Sequence, residues 1–248
     1  MRAGEEGGGC FPTGRHYPGI AHLLRIVAQG LIDELDGGTP MTDLPLVSID
    51  TETTGRDPAV DRVIELAAVV WVRGEVTARH RWLVNPGRPI PKEAFDVHGI
   101  SDDHVRDQPT FSAVCAEILE ALEGKVPVAY NAEFDRAFLF EELTRAGAAN
   151  DRALPPTARR GVEWVDPLVW ARELQKEEKS RALSDVAERL GVKLEKAHSA
   201  VDDAEAAVRV LSVFLGDARV PKTYAAFIQE QKRLGRLHEE DRQYWRRG

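Results

Sequence analysis

Residues 44–216 of this chain are predicted to fold as an α/β domain, a mixed sheet flanked by helices, and two observations carry that prediction. Runs rich in apolar and β-branched residues first follow one another directly, as in an antiparallel meander. Further along, short apolar runs alternate with segments whose apolar residues recur at helical spacing, as in parallel strands joined by helices.

The elements follow in order. Leu46 to Ile49 is a short strand between Pro45 and a turn at Gly55. Arg62 to Val72 is a long β run, Gly74 marks a turn, and Thr77 to Val84 is the returning strand. Pro86-Gly87, Pro89 and Pro91 open an irregular stretch that contains Phe95-Asp96-Val97-His98-Gly99-Ile100. From Thr110 a helix shows Phe111, Val114, Cys115, Ile118, Leu119 and Leu122 on one face, and Gly124 ends it. Val126 to Tyr130 is a strand, and Asn131 to Ala146 a helix with Phe134, Phe138, Leu139 and Leu143 inward. Val162 to Val165 is a strand candidate, followed by helical Leu168 to Leu174 and a short helix around Leu183 to Leu190. Ala200 to Leu215 is the last strong helix of the domain.

Outside the domain, residues 1–17 are Gly-rich, aperiodic and expected to be disordered. Residues 18–43 form a helical extension, since Ile20, Leu23, Leu24, Val27, Leu31 and Leu35 recur at helical spacing before Gly37-Gly38. Residues 217–248 form a basic helical tail, in which eight Lys/Arg face four acids from Arg219 onward. A solvated charged helix is the plainer reading of that tail, and a contact to a nucleic-acid backbone or partner the sharper one.

Composition narrows the function. With 43% hydrophobic and 30% charged residues the chain is of ordinary globular type. A net charge of −8 argues against a generic basic nucleic-acid binder, yet not against a nuclease whose carboxylates hold metal. Two cysteines, Cys10 and Cys115, are too few for a disulfide framework, and Cys115 falls on an apolar helix face. No apolar run approaches the ~20 residues that span a bilayer, and the amino terminus lacks a signal-peptide pattern, so no membrane contact and a cytoplasmic location are expected.

Asp50 and Glu52 stand two apart at the end of the first strand, so both acids project to one side. Two like charges that close raise each other's pKa unless a cation compensates. Oxygen ligands without Cys or clustered His suit a hard ion, Mg²⁺ or Mn²⁺, rather than zinc. By itself Asp-x-Glu is as readily two solvated acids at a strand end. Three further features join it: Asn131-Ala132-Glu133-Phe134-Asp135 where a strand passes into a helix, His198-Ser199-Ala200-Val201-Asp202-Asp203 opening the last helix, and the Val97-to-Ile100 segment.

In this order the motifs resemble the DEDDh-type 3′–5′ exonucleases, the superfamily of the polymerase III epsilon proofreading subunit and ribonuclease T. His198 stands five residues before Asp203, as in the histidine branch, and Ser199 occupies the position where the tyrosine branch has Tyr. The resemblance covers about residues 44–216 and implies a ribonuclease H-like fold. It implies two Mg²⁺ or Mn²⁺ ions held by Asp50, Glu52, Asp135 and Asp203, with Asp50 bridging, and His198 as general base. It also implies that Thr51, Thr53, His98, Ile100 and Asn131 surround the terminal nucleotide. Asp202 then belongs to another helix face, where an acid near a helix N-terminus is favourable in any case. Asp43, Asp57 and Asp61 read as turn residues, and Phe134 as a core residue.

The expected activity is release of nucleoside 5′-monophosphates from 3′ ends of single-stranded or frayed DNA. The same chemistry on RNA is the nearest alternative, and a non-catalytic binding module on this fold is a third reading. A polymerase partner or a homodimer would use the termini.

Overall fold

The computed structural model describes residues 30–148, 154–194 and 199–247, with side chains to Asp241. Strands β1 (Leu46–Thr53), β2 (Val63–Val72) and β3 (Glu75–Leu83) come first, then the short helices α1 (Lys92–His98) and α2 (Asp102–Val105). Helix α3 (Phe111–Leu122), strand β4 (Val126–Val128), helix α4 (Ala132–Arg145) and a 3₁₀ turn at Pro156–Ala158 follow. Helices α5 (Pro167–Leu174), α6 (Leu183–Arg189), α7 (Ala200–Phe214) and α8 (Tyr224–Arg247) complete the chain. The sheet order is β3-β2-β1-β4, with β1–β2 and β2–β3 antiparallel and β1–β4 parallel. This is the expected ribonuclease H-like mixed sheet flanked by helices.

Alternation along β1 divides the core. Val47 and Ile49 pack with Phe111, Ile118, Phe138 and Leu139 of α3 and α4. Leu46 packs with Val126, Val128, Trp170, Val208 and Leu211 on the opposite side. A sheet with both faces covered reads as a continuous apolar run, and nine of the ten residues of β2 are buried.

Several elements depart from expectation. Strand β1 does not stop at Ile49 but continues through Asp50 and Glu52, in register with Ala67 and Glu65, to a bulge before Thr53. Val162–Val165 contributes only a single parallel bridge, Val128 to Val165. Pro167, the first residue of α5, and Asp166, its N-cap, end the extended run there. The stretch read as irregular holds α1, which Pro91 opens and Gly99 closes in the left-handed conformation, φ 71°. Of the predicted helix over 18–35, residues 18–29 lie outside the described residues, as does Cys10, and 30–35 form turns instead. Those turns are tied down: Ile32 N–H donates to the Tyr224 hydroxyl at 3.2 Å, and Met41 N–H to the Lys222 carbonyl at 2.8 Å.

The basic tail is helical, but it is no solvated appendage. Tyr224, Phe227, Ile228, Gln231 and Leu234 are buried at spacings of three and four, and Phe227 packs on Trp170 with ring centroids 4.8 Å apart. Arg and Lys occupy the other face. Truncation after Leu215 is therefore expected to unfold the domain rather than merely shorten it. Phe227→Ala is expected to cost about 3–5 kcal/mol in chemical denaturation, the range for emptying a buried aromatic site. A loss below about 1 kcal/mol would contradict this packing.

Candidate active site

β1 delivers its side chains alternately to two helices, and that alternation builds the site. Asp50 and Glu52 face the side covered by α7, whereas Thr51 faces α4. In the first turn of α7 stands Asp203, and one carboxylate oxygen each from Asp50, Glu52 and Asp203 lies within 4.8 Å of the others. Asp202 is directed elsewhere, into a cavity of about 630 Å³ with Trp71, Arg79, Glu205 and Arg209. Of the two neighbouring acids, it is Asp203 that lies with Asp50 and Glu52.

Asp135 comes from the first turn of α4 and is buried, 3% exposed. Its Oδ1 accepts from Thr51 N–H at 2.9 Å and from Thr51 Oγ1–H at 2.8 Å. Burial and the neighbouring acids raise Asp50 well above the usual carboxylate range, with Asp135 the foremost of those neighbours. Glu52 is raised to about 8, by burial first and then by Asp203, Glu65 and Asp135. Burial also raises Asp135, and the two hydrogen bonds from Thr51 oppose that shift. Such crowding is unfavourable without a cation, and the all-oxygen donor set fits a hard divalent ion.

The sequence reading missed Glu65. It is the cross-strand partner of Glu52 on β2, 3% exposed, and ion-paired to Arg81 of β3. Its charge contributes to the raised pKa of both Asp50 and Glu52. The available signal was an acid inside an otherwise apolar strand, where a buried charge needs a partner.

Beside the acids lies a cavity of about 430 Å³ lined by Thr51, Glu52, Thr53, Val97, His98 and Phe134 among others. Phe134, read as a core residue, is only half-buried. It packs on Phe138 at 4.9 Å while also facing this cavity. His98 is fixed by accepting the Ile100 N–H at Nδ1, 3.0 Å, and borders a second cavity of about 310 Å³ with Ile100, Glu65, Arg81 and Ser199. Ile100 is buried against Ile64 and Val105. Asn131 is placed apart from these, in a depression with Arg136, Arg172, Lys232 and Arg236. His198 lies outside the described residues, and its neighbour Ser199 caps α7 at the rim of the second cavity.

Acids from a strand end and a helix start thus converge, with Asp135 of a second helix start adjacent, beside a cavity of about 430 Å³. The exonuclease family model RNase T matches residues 47–211, and the chain belongs to that family. The PolC-type DNA polymerase III of Streptococcus suis is 32% identical over 216 residues, covering 84% of this chain and 14% of the relative. That of Thermotoga maritima is 30% identical, covering 79% and 14%. The chain thus spans about one seventh of the length of these relatives. Among solved structures, Escherichia coli exonuclease I in complex with a dT13 oligonucleotide superposes with a TM-score of 0.58 at 20% identity, covering 71% of this chain and 42% of that one. Exonuclease X in complex with 5′-overhanging duplex DNA gives 0.53 at 24% identity, covering 74% and 98%. Both show the shared fold.

The raised acids fix a pH dependence for the metal-free protein. A carboxylate with a raised pKa binds more protons folded than unfolded, so its contribution is present at low pH and lost as pH rises. In EDTA the thermal midpoint should fall from the ordinary carboxylate range, ~4, up through the pKa of Glu52, about 8. Asp50→Asn should flatten this fall and raise the midpoint at its upper end. A midpoint that climbs across the same window would contradict the crowded-carboxylate site.

Proposed function

We propose that the chain is a metal-dependent 3′–5′ exonuclease that hydrolyses the terminal phosphodiester of single-stranded or frayed DNA and releases nucleoside 5′-monophosphates. The observation that carries this is the convergence of Asp50, Glu52 and Asp203, with Asp135 adjacent, beside a cavity of about 430 Å³ that Glu52 lines. Four carboxylates are enough to hold two Mg²⁺ or Mn²⁺ ions: Asp50 would bridge, Glu52 and Asp203 would mainly serve one ion, and Asp135 would act mostly through water. Bound there, the ions would supply Lewis acidity to both the attacking and the leaving oxygen. The protein's own groups do the rest. A ring nitrogen of His198 would take the proton from the attacking water, as imidazole, whose unperturbed pKa lies near ~6.5, can do near neutrality. Thr51, Thr53, His98 and Phe134 would seat the terminal nucleotide, so that one placement gives one cut.

DNA is favoured over RNA because the relatives are named as DNA polymerases and the structural neighbours hold DNA. RNA remains the second reading, favoured by the RNase T family model. The PolC-type relatives are polymerases in name, so proofreading beside a polymerase is the proposed setting, with a homodimer the alternative.

Labelled single strands of matched DNA and RNA sequence, with Mg²⁺ or Mn²⁺, test the reading directly. Mononucleotides should appear from the 3′ end, a 3′-phosphate should inhibit, and Asp50→Ala should abolish activity while the fold persists. Rapid cleavage of covalently closed circular strands would contradict the assignment. For His198, the rate should rise with pH through the imidazole pKa and then level. His198→Ala should lower turnover on the order of 10²–10⁴-fold with Mn²⁺ binding kept. Loss of Mn²⁺ affinity as severe as in Asp203→Ala would make the histidine a ligand instead.

A further inference from the structure

The start of α4 is not capped by its own sequence. Asn131 precedes the helix in the left-handed conformation, φ 68°, and its side chain makes no capping hydrogen bond. The first amides are satisfied from a distance. Asp166, at the start of α5, accepts the Asn131 N–H at Oδ1, 3.0 Å, and the Ala132 N–H at Oδ2, 3.1 Å. Its Oδ1 also accepts the Leu168 N–H at 2.9 Å, so one carboxylate caps two helices.

Asp166 is in turn held by the carboxy-terminal helix. Gln231 of α8, 3% exposed, accepts the Asp166 N–H at 2.8 Å and donates to the Trp164 carbonyl at 2.8 Å. On the other side β4 fixes the same segment, since Val165 N–H donates to the Pro127 carbonyl at 2.8 Å and its own carbonyl accepts from Ala129 N–H at 3.0 Å. A continuous chain of contacts therefore runs from Gln231 to Asp166, to the first turn of α4, and so to Asp135 and Thr51. Asp135 stands in the first turn of the helix whose start Asp166 fixes.

We propose that Asp166 is a positioning residue for Asp135 and that α8, through Gln231, sets the geometry of the metal-binding acids. This rests on the proposed assignment of Asp135 as a metal ligand. Asp166 touches neither substrate nor metal in this account; it fixes the angle at which α4 presents its carboxylate. Partners that orient a ligand from behind typically govern metal affinity on the order of 10–100-fold.

Asp166→Asn is the sharpest probe. An amide keeps one acceptor oxygen and puts an N–H donor against either Ala132 N–H or the pair Asn131 and Leu168, so one of the two helix caps must fail. Gln231→Leu removes both outer contacts at similar volume and carries the test if Asp166→Asn fails to fold. Phe227→Leu serves as control, because it loosens the same helix without touching Gln231 or Asp166. Calorimetric Mn²⁺ titration of the full chain is the readout, together with cleavage at limiting and saturating Mn²⁺. The expected result is Mn²⁺ affinity weakened on the order of 10-fold in Asp166→Asn and Gln231→Leu, with cleavage recovered at saturating Mn²⁺. Phe227→Leu should bind Mn²⁺ as the wild type does. Isotherms of Asp166→Asn and Gln231→Leu that superpose on the wild type would overturn the positioning role. A weakening of the same size in Phe227→Leu would overturn it too, by making general loosening the cause. A wild-type chain that binds no Mn²⁺ would overturn the metal-site reading beneath it.

Discussion

The structure is arranged around a repulsion. Asp50, Glu52 and Asp203 bring oxygens within 4.8 Å of one another, while Asp135 and Glu65 stand close enough to help raise the pKa values of Asp50 and Glu52. Unscreened carboxylates at such distances would move apart or take up protons. They stay because their backbones cannot move. β1 is paired with β2 along its length, through Asp50 and Glu52, and with β4 at Leu46–Ser48, α7 packs Ala200 and Ala204 against Ala67 and Val69 of β2, and α4 is sealed by Phe138 and Leu139. The small residues matter here, since alanines on both faces let α7 approach the sheet closely enough to bring Asp203 to the end of β1.

Thr51 has the complementary part. Its position between two acids on a strand turns it to the opposite face, where its amide and hydroxyl both donate to Asp135. That single residue couples the carboxylate of α4 to the strand bearing the other ligands. One oxygen of Asp135 is thereby committed to the protein, which suits an acid proposed to hold its ion less directly than Asp50 does.

What the sequence made legible depended on range. The i, i+2 spacing of Asp50 and Glu52 on a strand puts both acids on one side, whereas Asp203 was preferred to Asp202 because its spacing from His198 resembles the DEDDh pattern. Features held by distant partners were not visible in that way. Asp166 caps a helix that begins 34 residues earlier, and Glu65 is understandable only once β2 lies against β1. Two misreadings were avoidable. Pro91 was read as opening an irregular segment, although Pro at a helix start and Gly just beyond its end, here Gly99, are also the punctuation of a short helix. In the tail, the tally of charges drew the reading away from the spacing of Tyr224, Phe227, Ile228, Gln231 and Leu234, which marks a buried helix face.

The same distinction between charge tally and charge placement answers how a chain of net charge −8 could engage a polyanion. Glu65 is ion-paired within the protein to Arg81, which offsets part of its charge. With two divalent ions held as proposed, Asp50, Glu52, Asp135 and Asp203 would be balanced charge for charge. A phosphate arriving at the end of β1 would then meet an environment without net negative charge, although the acids contribute four units to the formal total. Solvent-exposed charges beyond about 8–10 Å are largely screened at physiological salt, so the remaining surface acids would oppose binding only weakly. Net charge thus says little about this site. What matters is which acids are neutralised where the phosphate would lie, and that is decided by the sheet register that sets Glu65 opposite Glu52.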